Sequence, residues 1–413
     1  MAIIVMKFGG TSVATPEKIR SAAQRAIDAQ KKGYQVIMVV SAMGHETDRL
    51  EELAKAVCRG DEPSKRERDQ LLATGEQVTI SLVAMALEHM GTPAISFTAG
   101  QIGMITDEAH TKARIHRIDA KRIHAQLDAG RIVIIAGFQG VTADGHVTTL
   151  GRGGSNVTLV AVAAAVKAEV CENYTDVDGV YTADPRIVPN ARKIDRISYD
   201  EMLELSSQGF NVLHNRAVEF AKKYDVPIHV RSSLNTSKGT MIVAETQSME
   251  RIVVSGVALK ENIARLSLKD VTDRPGSAAQ IFHALAQGKV VIDDIIQTEN
   301  ESGTANISFT VDLGDLADAE KVVSALAAKM KCRYSVEKDL AKVSAVGVGM
   351  RVHTGVAERM FAALAKGKIN IDNITTSEIK ISVIVSQKQG RDALRSVHDA
   401  FDLGKPAKRA RKK

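Results

Sequence analysis

The chain opens on an apolar run, Ile3 to Phe8. Similar short runs rich in Ile and Val recur at Gln35 to Val40, Ala94 to Phe97, Ile132 to Phe138 and Glu169 to Tyr174. Continuous apolar runs of this kind are the signature of strands buried on both faces of a parallel sheet. Between them lie stretches with helical spacing at Pro16 to Gln30, Gln70 to His89 and Ala113 to Asp128, and Thr158 to Lys167 consists of strong helix formers. Such alternation predicts an α/β unit, an open and mostly parallel sheet with helices on both faces. Ligands of these sheets gather beyond the carboxyl ends of the strands. The pattern breaks between Gly239 and Arg251, where Glu245-Thr-Gln-Ser-Met-Glu is polar and aperiodic. The first unit is therefore expected over residues 1–245, with a linker over 246–262.

Beyond the break the chain repeats itself. Phe282-His-Ala-Leu-Ala-Gln-Gly-Lys-Val-Val-Ile-Asp-Asp-Ile matches Phe361-Ala-Ala-Leu-Ala-Lys-Gly-Lys-Ile-Asn-Ile-Asp-Asn-Ile, an offset of about 79 residues. Each copy reads as strand, Gly-containing turn, helix, then further strands. Residues 246–335 and 336–402 are thus predicted as two small α+β domains, each with helices laid on a sheet. Their sheet edges favour pairing with another subunit, in a homodimer or a higher oligomer.

Composition narrows the class. A chain of 413 residues with 44% hydrophobic and 25% charged residues is long enough for two or three globular domains. The net charge of +6 owes much to the final stretch, and residues 403–413 read as a basic disordered tail. No basic stripe interleaved with aromatics occurs elsewhere, and Trp is absent, so nucleic acid is not expected as a partner. No apolar run approaches the ~20 residues of a membrane span, and no export signal is expected at the N-terminus. Cys58, Cys171 and Cys332 are widely spaced and odd in number, which suits a reducing cytoplasm better than a disulfide framework or a zinc site. The histidines show no metal-ligating spacing, so no protein-held metal is expected.

Four segments carry candidate chemistry. Lys7-Phe8-Gly9-Gly10-Thr11-Ser12 follows the first strand, and its glycines let backbone N–H groups approach a phosphate beside a lysine. Gly151-Arg152-Gly153-Gly154-Ser155-Asn156 precedes a helix that Ser155 or Asn156 is expected to cap, with a guanidinium aimed at the helix N-terminus. Thr175-Asp-Val-Asp-Gly-Val-Tyr181-Thr-Ala-Asp-Pro-Arg186 places acids, a tyrosine and an arginine in one loop suited to a nucleotide. Ser41 to Thr47, with Gly75-Glu76, supplies further polar groups at element ends.

Taken in order, KFGGTS, VSAMG, TGEQ, SFTAGQ, AGFQGV, TLGRGGS, TDVDGVYTADPR and VPIHVRSS resemble the amino-acid kinase family, and the two repeats resemble paired ACT domains. The likeness covers the chain up to its basic tail. It implies transfer of the γ-phosphoryl of ATP, carrying Mg²⁺, to the side-chain carboxylate of L-aspartate, the step that opens lysine, threonine and methionine biosynthesis. By the same resemblance Lys7, Phe8, Gly9 and Gly10 cradle the transferring phosphate. Arg152, with Gly153, Gly154 and Ser155, clamps the α-carboxylate of aspartate. Glu76 takes its ammonium, and Ser41 and Thr47 complete the pocket. Thr175, Asp176, Tyr181, Arg186 and Asn211 hold ATP, and Lys7, Arg152 and Asn156 are the residues implied in catalysis. Asp273, Gly276, Ala278, Gln297, Asn370, Ile371, Ser377 and Glu378 match positions that bind lysine or threonine as feedback effectors. Two residues depart from the family pattern: Asn156 stands where the family carries Asp, and Asn211 where it carries Lys. One acid and one base are lost together, so the site charge is conserved. A catalytically weakened amino-acid sensor on the same fold is the alternative reading.

Overall fold

A computed structural model of the chain describes residues 1–210, 212–245, 252–300 and 303–405. The first elements are β1 (Ile3–Phe8), α1 (Pro16–Lys31), β2 (Gln35–Val40), α2 (Glu46–Val57), α3 (Lys65–His89) and β3 (Ala94–Phe97). They are followed by β4 (Ile105–Thr106), β5 (Ile115–Arg117), α4 (Lys121–Asp128), β6 (Ile132–Ala136), β7 (Gln139–Val141) and β8 (Val147–Thr149). Next come α5 (Gly154–Val166), β9 (Val170–Thr175), β10 (Arg196–Ser198), α6 (Tyr199–Ser207), α7 (Asn215–Tyr224), β11 (Ile228–Ser232) and β12 (Thr240–Val243). Eight strands form the main sheet in the order β10-β12-β11-β9-β1-β2-β6-β3. From β11 to β3 every neighbour is parallel, and β12 runs antiparallel to β11. A smaller sheet has the order β5-β4-β7-β8.

The apolar runs are strands because both of their faces are covered. All five residues of β6 are buried, as are five of the six in β1 and in β2. Helix α5 is apolar around almost its whole circumference, as befits a helix enclosed in the interior. By length and composition α3 would suffice to cross a membrane, yet it buries Asp69 and Glu76 along one face. Cys58, Cys171 and Cys332 are not paired in disulfides.

Several boundaries differ from the sequence reading. Strand β6 stops at Ala136 because the chain turns at Phe138, whose φ is +67°. Helix α3 begins at Lys65 rather than Gln70; its charged first turn has no apolar period and is tethered by Arg68 to Glu51 at 2.6 Å. The stretch expected as one helix from Ala113 is instead β5 followed by the shorter α4, because residues 115–117 pair with β4. Helix α5 is entered through Gly153, in the left-handed region at φ +70°, and no side chain caps it; Ser155 and Asn156 lie inside its first turn.

The second unit contains β13 (Gly256–Thr272), α8 (Ser277–Gln287), β14 (Asp293–Asn300), β15 (Thr304–Asp312), α9 (Leu316–Met330), β16 (Arg333–Val346), α10 (Val356–Lys366), β17 (Asn373–Thr376), β18 (Lys380–Ser386) and α11 (Gly390–Ala400). Each repeat is a βαββα unit. The long strands β13 and β16 pair antiparallel, from Gly256 opposite Val346 to Lys269 opposite Arg333. Both repeats therefore share one six-stranded sheet, β14-β15-β13-β16-β18-β17. Residues 256–262, expected as linker, begin β13, and the expected division between residues 335 and 336 falls inside β16.

The division between units also differs. Met1–Tyr181 and Lys193–Met249 make the first, while Thr182–Arg192 folds with Glu250–Lys413. The reason is apolar: Ala183 and Val188 are buried in a cluster with Val257, Ala341, Val383, Leu394 and Val397. The Thr182 carbonyl accepts from the Val257 amide at 2.8 Å, and the Arg395 guanidinium donates to the Ile187 carbonyl at 3.0 Å.

Candidate active site

The carboxyl ends of β1, β2 and β6 open into a cleft of about 1970 Å³. Lys7, Ser41, Thr47, Glu76, Arg152, Gly153, Gly154, Ser155 and Asn156 all line it. Its wall carries Lys7, Arg68, Lys112, Arg114, Arg152 and Arg216 against Asp48, Glu51 and Glu76, a surplus of positive charge that favours an anionic ligand.

Lys7 sits one residue before the end of β1, between Val39 of β2 and Asn173 of β9. It is 8% exposed, and burial lowers its pKa to about 8 against the opposing pull of Asp176. A desolvated ammonium of this kind gains strongly from an incoming phosphate. Glu76 is the acidic counterpart. The residue is 2% exposed, and burial raises the pKa of its carboxyl to about 8. Oε1 accepts from the Ala42 amide at 3.0 Å, whereas Oε2 is buried without a hydrogen-bond partner. Its neighbour Gly75 makes this reach possible: a Cβ there would lie 2.8 Å from the Ala42 Cβ, so a side chain would push α3 off the 41–44 turn.

The Gly151–Asn156 loop meets that turn across the cleft. Ser155 Oγ and Ser41 Oγ are hydrogen-bonded at 3.0 Å. Gly153 needs to be glycine twice over. Its φ is +70°, and a Cβ would lie 2.4 Å from that of His214. Arg152 is exposed toward the cleft, and the Asn156 Oδ1 is buried without a hydrogen-bond partner.

The other residues expected to hold a nucleotide fall at the ends of β1 and β9 and in the segments that follow them. Gly9 closes over Lys7, its amide donating to the Tyr174 carbonyl at 3.4 Å, and Phe8 stacks on Tyr174 with ring centroids 4.7 Å apart. Gly10 packs against the Ala42 and Gly44 carbonyls. Thr175 donates to Asp176 at 2.9 Å, and Tyr181 to Asp178 at 2.7 Å. Arg186 lies in the segment that belongs to the second unit, where it forks onto Asp184 at 2.7 Å. Asn211 falls outside the described residues.

In the second unit Asp273, Gly276, Ala278 and Gln297 line one cavity of about 790 Å³ at the start of α8. Asn370, Ile371, Ser377 and Glu378 flank β17 in the second repeat and do not line that cavity. Sequence reasoning missed Thr111, Lys112, Arg114, Phe138, His214 and Arg216 in the cleft wall. Phe138 lies within the AGFQGV stretch; Arg114 lies in a stretch whose spacing reads as a helix, and nothing marks Lys112 or His214.

Fold and cleft together define a phosphotransferase of one lineage. Residues 2–232 match the Amino acid kinase family, and residues 265–329 and 343–401 each match the ACT domain. The chain is 51% identical over 409 residues to Aspartokinase 2 of Bacillus subtilis (strain 168), covering 98% of this chain and 99% of that one. It is 49% identical over 411 residues to the Aspartokinase of Pseudomonas aeruginosa (strain PAO1), covering 99% of each. Among solved structures, E. coli aspartokinase III in complex with aspartate and ADP (R-state) superposes with a TM-score of 0.82 at 26% identity, over 96% of this chain and 99% of that chain. The same enzyme with lysine and aspartate (T-state) gives 0.76 at 25% identity, over 97% and 99%. The chain belongs to the amino acid kinase family and, within it, to the aspartokinases.

Proposed function

We propose that the chain transfers the γ-phosphoryl group of ATP to the side-chain carboxylate of L-aspartate, giving 4-phospho-L-aspartate and ADP. The observation that carries this reading is one cleft holding a buried lysine, a buried glutamate with an unsatisfied oxygen, and a Gly-rich loop bearing Arg152. Arg152 takes the α-carboxylate of aspartate, and Glu76 takes its ammonium. Ser41, Ser155 and Thr47 orient the side-chain carboxylate. That carboxylate is already ionised at neutral pH, so no general base is needed. One of its oxygens forms a bond to the γ-phosphorus as the bond from that phosphorus to the β,γ-bridging oxygen breaks. Lys7 neutralises charge on the phosphoryl oxygens in the loose transition state. Mg²⁺ carried by the nucleotide would draw charge off the same phosphates, and the orphaned Asn156 carbonyl is a hard oxygen donor that fits it.

The Asp273–Gln297 cavity is the proposed site for lysine or threonine as a feedback effector, and the edge strands β14 and β17 are the proposed contacts of a homodimer. The reaction places the chain at the head of lysine, threonine and methionine synthesis in the cytoplasm. ATP-dependent acyl phosphate formation, trapped as aspartyl hydroxamate, is the direct test. Absence of product with the full-length protein, at any effector concentration, refutes the reading and favours the sensor alternative.

A further inference from the structure

Asp69 lies on α3 seven residues before Glu76, on the same helical face, and its side chain has no access to solvent. It does not line the cleft, yet its carboxylate is saturated by groups from the loops that do. Oδ2 accepts from the Thr111 amide at 2.9 Å and from His110 Nδ1 at 2.9 Å, and Oδ1 accepts from Thr149 Oγ1 at 2.5 Å. Two chain segments that are far apart in sequence are thus tied to a single buried acid.

Those segments meet beside the aspartate clamp. The Ala113 amide donates to the Thr149 carbonyl at 2.9 Å. The Thr111 carbonyl presses against Gly151, 3.0 Å from where a Cβ would stand. Thr111 itself has φ +72°, a conformation that a β-branched residue adopts only when its surroundings force it. On the far side Arg216 donates to the Leu150 carbonyl at 2.8 Å and to the Ala113 carbonyl at 2.6 Å. The entry to the Gly151–Asn156 loop is therefore held between a buried carboxylate and a guanidinium.

We infer that Asp69 is a positioning residue for aspartate binding: through the strained turn at Thr111 and through Thr149 it fixes the loop that carries Arg152. Helix α3 then works as a rigid ruler. At one point it presents Glu76 to the substrate ammonium, and two turns earlier it grips the loop that presents Arg152 to the substrate α-carboxylate. The separation of the two recognition groups is set by one element.

This inference rests on the aspartate kinase reading, and the wild-type hydroxamate assay tests that reading first. Given an active wild type, Asp69→Asn replaces an acceptor of three hydrogen bonds by a group that must offer N–H to donors. The expected result is a KM for L-aspartate raised about tenfold, in the range of lost supporting contacts around functional groups, with KM for ATP within about twofold of wild type. His110 is the milder probe, since its side chain is 17% exposed. His110→Ala is expected to raise KM for aspartate by about threefold, and His110→Gln, which keeps a donor toward Asp69, to restore it. Equal rises in both KM values, activity loss that merely tracks the folded fraction measured by thermal melts, or no change at all would each overturn the inference.

Discussion

Glu76→Gln offers the sharpest test of the cleft. The substitution keeps shape and an acceptor for the Ala42 amide, but removes the negative charge proposed to meet the substrate ammonium. A hydrogen bond to a charged group is worth about 1.5–3 kcal/mol, which corresponds to roughly a 10- to 150-fold rise in KM for aspartate. The pH dependence is more discriminating. Burial raises the pKa of Glu76 to about 8. At pH 7 only roughly one free enzyme in eleven then carries the carboxylate, so kcat/KM for aspartate should climb about tenfold toward a plateau above pH 8. The assay is hydroxamate formation between pH 6.5 and 9 at saturating MgATP, where the phosphates keep Lys7 protonated. Glu76→Gln should flatten the acid limb. Stability supplies the control. A carboxyl whose folded pKa lies above its unfolded value binds its proton more tightly in the folded state, so its contribution to stability falls as pH rises from about 4.5 to about 8. The Gln variant escapes that loss and should melt no lower than wild type at pH 8.5. An acid limb that persists unchanged in Glu76→Gln would show that another group titrates, and would sink the assignment.

Lys7→Ala should lower kcat by about 10²–10³-fold, and Lys7→Arg should recover little, because the buried slot at the end of β1 fits a point charge rather than a planar fork; single-turnover rates decide. Gly153→Ala meets both a left-handed φ and the His214 side chain, so a loss of about 1–3 kcal/mol in denaturant unfolding is expected together with weakened aspartate binding. Asp273→Ala should raise the concentration of lysine or threonine needed for half-inhibition at least about tenfold while kcat stays unchanged, because it removes a carboxylate able to pair with the effector ammonium in that cavity. Lys342 is 1% exposed and pairs with Asp293 at 2.5 Å and Asp294 at 2.9 Å. Lys342→Met strands the buried Asp294 and should cost about 3–5 kcal/mol, seen as an early melting transition.

Five strands of the main sheet, β1, β2, β3, β6 and β9, were legible as short apolar runs, and β1, β2 and β3 begin and end where the pattern says, whereas the shorter or more polar β10, β11 and β12 were not. The cleft was legible through its loops, since glycines and charged residues cluster at strand ends. The stretch from Ala113 was not: its spacing suits a helix, but hydrogen bonds to Asp69 and Arg216 impose a turn, and residues 115–117 then find a partner strand. The cap of α5 was misread for a related reason. Ser155 and Asn156 are good capping types, yet close packing against His214 sets the helix entry at Gly153. The shared sheet of the two repeats depends on β13 pairing with β16, a long-range register that no local pattern announces.

The short segment Thr182–Arg192 has a consequence for how this protein can be taken apart. Because it leaves the first unit and returns, the backbone passes between the two units three times: at Tyr181–Thr182, at Arg192–Lys193 and at Met249–Glu250. A single cut near residue 249 therefore does not yield two finished pieces. A kinase fragment would carry Ala183 and Val188 into water, and a regulatory fragment would lose part of its own apolar cluster. An exchange of effector modules keeps this apolar cluster whole only if it carries the eleven-residue graft with the C-terminal half. A chimera joined only at the obvious linker should aggregate or melt early, and one that transplants the graft as well should not.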